Sequence, residues 1–60
     1  MLVRFKYSGE PIYINPDQVF EVRKYSDEKT AIWSSNENNY TIVDEPLDRV
    51  AMLLSDAMRR

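Results

Sequence analysis

The 60-residue chain sets 8 Lys+Arg against 10 Asp+Glu, a formal net charge of -2, and has neither Cys nor His. That excludes a disulfide framework, thiolate and imidazole zinc sites, and Ser-His or Cys-His nucleophilic catalysis. Carboxylate sites for calcium or magnesium stay open, but they need clustered oxygen ligands. A hydrophobic content of 43% with one Gly and three Pro describes a folded chain rather than a disordered one. The length makes residues 1–60 a single domain, and one that is marginal alone: a chain of this size buries only about 60% of its unfolded surface.

Taken in chain order, Val3, Phe5 and Tyr7 alternate with Arg4 and Lys6, the period of a half-buried strand over residues 2–7. Arg4 and Lys6 precede no apolar run of about 7–15 residues, so a signal peptide is not expected. Nor does any stretch approach the roughly 20 apolar residues of a membrane span, and a cytoplasmic location follows as the expectation. Ser8-Gly9-Glu10-Pro11 reads as a turn into a second strand, Ile12-Tyr13-Ile14. Asn15-Pro16-Asp17 punctuates the chain, with Asp17 expected to cap its own turn.

Residues 18–25 alternate again, with Phe20 and Val22 on one side and Val19, Glu21, Arg23 and Tyr25 on the other. A polar turn at 26–29 leads to a fourth strand over 30–33. A polar loop over 34–39 then leads to a fifth strand over 40–43. From Pro46 the period changes: Leu47, Val50, Ala51, Leu54, Ala57 and Met58 recur at helical spacing and predict a helix over 46–58. Asp48 near its start and Arg59 and Arg60 near its end suit the helix dipole. The expected fold is α+β: a five-stranded antiparallel meander with one C-terminal helix packed on one face.

A single helix covers one side of a sheet. Ile12, Ile14, Phe20, Val22, Ile32 and Ile42 form the natural inner set, which leaves Tyr13, Tyr25, Ala31, Trp33 and Val43 on the opposite side. Large exposed apolar patches mark interaction sites, and Trp and Tyr are enriched at interface hot spots. Tyr13, Tyr25, Trp33 and Val43 are therefore the candidate partner interface. The competing reading is that loops or strand curvature cover these rings, or that the register differs by one.

No catalytic, cofactor-binding or metal-ligating set emerges. Asp44-Glu45 and Asp27-Glu28 read as a helix-start pair and solvated turn charges, and one glycine builds no phosphate-cradling loop. Aromatics on a small sheet can stack bases, and Arg4, Lys6, Arg23 and Lys24 are the candidates for a nucleic-acid face. The net acidity opposes that alternative, because clustered Lys/Arg supply most non-specific affinity.

The order of parts carries a resemblance: Gly9-Glu10, then Ile12-Tyr13-Ile14-Asn15, Val19-x-x-Val22, a turn with Asp27, Thr30-x-Ile32, and Ile42-Val43-x-Glu45 before a helix with Val50. Over residues 9–54 this resembles the FlbD/SwrD family of small flagellar motility proteins, and it is also similar to small phage and prophage proteins with an "INPD" turn and a "DEP" step into a helix. The family's Asn-Gly turn is replaced by Asn36-Glu37-Asn38-Asn39, and the Ser after its Glu by Pro46. The resemblance implies a small bacterial or phage regulatory protein, without catalytic residues, that works by protein–protein interaction. Self-association as a homodimer, no cofactor and no membrane contact complete the expectation.

Overall fold

Alternation and turn chemistry build the first unit. In the computed structural model, which describes residues 1–35 and 38–59, β1 (Val3–Tyr7) and β2 (Glu10–Ile14) pair antiparallel with Phe5 opposite Ile12 and Tyr7 opposite Glu10. Two loop residues join them, and both have positive φ: Ser8 at 51° and Gly9 at 81°. Tight hairpins favour this conformation because its twist matches that of the strands. A Cβ at Gly9 would meet no atom within 4 Å, so Gly9→Ala tests backbone strain alone. It should cost about 1–2 kcal/mol, read as an earlier urea midpoint; an unchanged midpoint would show that the turn is not held in this form.

Asn15 then opens a 3-10 turn over Pro16–Gln18, and its side chain accepts the Asp17 N–H at 3.0 Å. Asn15, rather than Asp17, supplies the cap. The turn delivers the chain into a three-stranded antiparallel sheet, order β3-β4-β5, made of β3 (Val19–Ser26), β4 (Lys29–Ser34) and β5 (Tyr40–Val43). The expected single meander is therefore two sheets, of two and three strands. The helix α1 runs over Leu47–Met58 with Pro46 as its N-cap. Arg60 and the loop residues Asn36 and Glu37 lie outside the described residues. No described helix is long and apolar enough to cross a membrane.

The core lies between the two sheets and the helix. Phe5 and Ile14 from the hairpin meet Ile32 and Val43 from the larger sheet and Val50 and Leu54 from α1, with Val3, Ile12, Val19, Val22 and Leu53 packed around them. Hairpin and helix thus cover the same face of the three-stranded sheet.

Two adjacent carboxylates fasten these parts. The Asp44 N–H donates to the Lys6 carbonyl at 2.8 Å, while its carboxylate accepts the Ser8 N–H at 2.9 Å and the Lys29 ammonium at 2.8 Å. Glu45 accepts from Arg49 Nε at 3.0 Å and from the Lys6 N–H at 3.4 Å, and its carbonyl accepts the hydroxyl of buried Thr30 at 2.8 Å. The Lys29 hydrogen bond, then the Ser8 N–H, hold the Asp44 carboxyl below its ordinary value, and Asp44 in turn raises Lys29. A depressed carboxylate stabilises the fold fully above its ordinary value, and that contribution fades as pH falls through the lowered one. Wild-type and Asp44→Asn melting temperatures should therefore differ at neutral pH and converge under acid. A gap constant with pH would contradict this role.

Candidate interaction surface

The face of the larger sheet turned away from hairpin and helix is set by register. Trp33 lies opposite Glu21 on β3 and Tyr40 on β5, and Ala31 lies opposite Arg23 and Ile42. Because successive residues alternate across a strand, these six share one side, and Thr30, Ile32 and Val43 take the other. The Trp33 and Tyr40 rings sit 4.9 Å apart between centroids, tilted by 41°. The Arg23 guanidinium lies 5.7 Å from the Trp33 ring centre and is also paired with Glu21. Trp33 is half-buried, Tyr40 is exposed, and Ala31 is buried.

Only part of the expected interface assembles here. Trp33 stands at its centre. Tyr25 is 57% exposed, at a register shift near the end of β3. Tyr13 is 58% exposed but belongs to the other sheet, where it lies opposite Arg4. Val43 is a correction: it is fully buried in the core. The β4–β5 register pairs Val43 with Thr30 and Ile42 with Ala31, so Ile42 takes the outer side that had been expected of Val43.

Phe20 is the second correction. The β3–β4 pairing shifts register between Val19 and Glu21, inserting Phe20 as an extra residue. A bulge of this kind re-aims the side chain and resets the alternation. Val19 and Val22 consequently both pack on the core, while Phe20 is 65% exposed. Tyr40 and Ile42 are the surface residues that the sequence reading missed. Two adjacent apolar residues at 42–43 give no alternation to choose between them.

The four basic residues weighed for nucleic acid do not form one face. Arg4 and Lys6 belong to the hairpin sheet, whereas Arg23 and Lys24 are consecutive on β3 and point to opposite sides. Arg23 is paired with Glu21, and Lys24 with Asp27 at 3.2 Å. Among the described residues no three carboxylates gather as a metal-binding group would. Comparison with known proteins adds no relative: no protein-family model matches the chain, and neither does any curated protein or solved structure.

Proposed function

We propose that this chain is a small non-catalytic interaction module that associates with a second copy of itself through the outer face of its three-stranded sheet. The observation that carries the reading is the Trp33–Tyr40 ring pair, with Arg23 stacked beside it, on a face that neither helix nor hairpin covers. Aromatic and Arg anchors of this kind dominate interface energetics. A second copy suits the face on charge: Glu21 and Arg23 stand side by side, so a two-fold axis can set each acid opposite the other copy's base. The likeness of residues 9–54 to small flagellar motility proteins suggests a regulatory setting, and that part of the reading rests on the sequence pattern alone.

Charge reversal tests the pairing. Arg23→Glu makes the face acidic and Glu21→Arg makes it basic. Each variant alone should be monomeric by size-exclusion chromatography, and an equimolar mixture should recover a dimer. Variants that dimerise separately, or a mixture that stays monomeric, would contradict face-to-face association.

A further inference from the structure

Away from the Trp33 face, β3 and α1 wall an open groove of about 240 Å³, lined mainly by Val19, Phe20 and Val22 from the strand and Ala51, Leu54 and Met58 from the helix. The helical residues recur at three- and four-residue spacing, so they form one stripe. Phe20 and Met58, both more than half exposed, stand over an apolar floor. The strand wall is also a sheet edge, since β3 has β4 on one side and no described strand on the other. Between its two register shifts, Glu21–Lys24 keep a regular ladder with Thr30–Trp33, enough for a short added strand. At the far end the last residues of β3, the turn after it and the start of α1 wall a polar pocket that includes Lys24, Asp27, Pro46 and Asp48. There Lys24 is paired with Asp27, and Asp48 leaves that end net negative.

We infer that this groove binds an extended peptide that adds a strand to the β3 edge, seats alternate apolar side chains between Phe20 and Met58, and sets a basic residue beside Asp48. Strand addition draws affinity from backbone hydrogen bonds and specificity from pockets for alternate side chains. An edge beside an apolar stripe provides both, and the negative end complements a cation. The site is separate from the Trp33 face, so it stands or falls independently of self-association.

The test is selection of phage-displayed heptapeptides on the immobilised full chain, followed by fluorescence polarisation of the enriched peptides. The expected peptides alternate apolar residues and carry Lys or Arg toward one end. Their affinity should fall at least tenfold on Phe20→Ser and on Ala51→Arg, both exposed positions, in variants whose melting curves match the wild type. Asp48→Asn should abolish the preference for the basic residue. Amide shift mapping on the wild type gives a readout free of substitutions, with perturbations expected at Glu21–Lys24 and at Ala51–Met58. No enrichment over the bare support, affinities untouched by both Phe20→Ser and Ala51→Arg, or shifts confined to Trp33 and Tyr40 would each overturn the proposal.

Discussion

Leu54→Ala should remove a large part of the chain's stability, unfolding it or sharply lowering its melting temperature. Leu54 is 5% exposed and belongs to the cluster that joins the helix to both sheets. Truncating a buried leucine typically costs about 2–5 kcal/mol, through lost transfer energy and the cavity left behind. Native domains hold about 0.05–0.15 kcal/mol per residue, so a chain this short has roughly 3–9 kcal/mol in total. The loss is therefore comparable with the whole stability of the fold. Far-ultraviolet circular dichroism should show a lost or strongly lowered thermal transition. Phe20→Ala is the matched control: its ring is already in solvent, so the shift should stay within about 0.5 kcal/mol. A Leu54→Ala melting curve like that of the wild type would refute the helix packing described here.

The second large effect concerns association. Trp33→Ala removes the ring that Tyr40 and Arg23 flank. Truncating a hot-spot aromatic costs about 2 kcal/mol or more of binding free energy, roughly a thirtyfold weaker dimer. Because Trp33 faces away from the core cluster, folding should survive the change. Sedimentation should then report a monomer at concentrations where the wild type is paired, while the dichroism spectrum stays native. A dimer of undiminished affinity would show that another surface is in use.

Period and turn chemistry made most of the fold legible. The five strands and the helix stand where alternation, Ser8-Gly9, Asn15-Pro16 and the 47-50-54 spacing put them, with ends shifted by a residue or two. Facing was legible only where alternation ran unbroken. Across Phe20 a single inserted residue reversed it, which exchanged Phe20 with Val19. At Ile42-Val43 two adjacent apolar residues offer no alternation, and the facing follows from the cross-strand register that pairs Val43 with Thr30. The division into two sheets was not legible either. The contacts that hold the two sheets together run from Asp44 and Glu45 back to Lys6 and Ser8, and in sequence those acids look like any acidic helix start. Trp33 was identified because a large aromatic on a strand opposite the covered face is informative in itself. Its neighbours Tyr40, Arg23 and Glu21 became a surface only once strand order was known.

Sedimentation equilibrium of the wild-type chain across the micromolar range tests the central claim most directly. Self-association through the Trp33 face predicts a mass that climbs with concentration from the monomer's 7.1 kDa toward twice that value and levels off there, as a closed two-fold pair requires. A mass that stays at the monomer value throughout, or that rises past the dimer without a plateau, would contradict it.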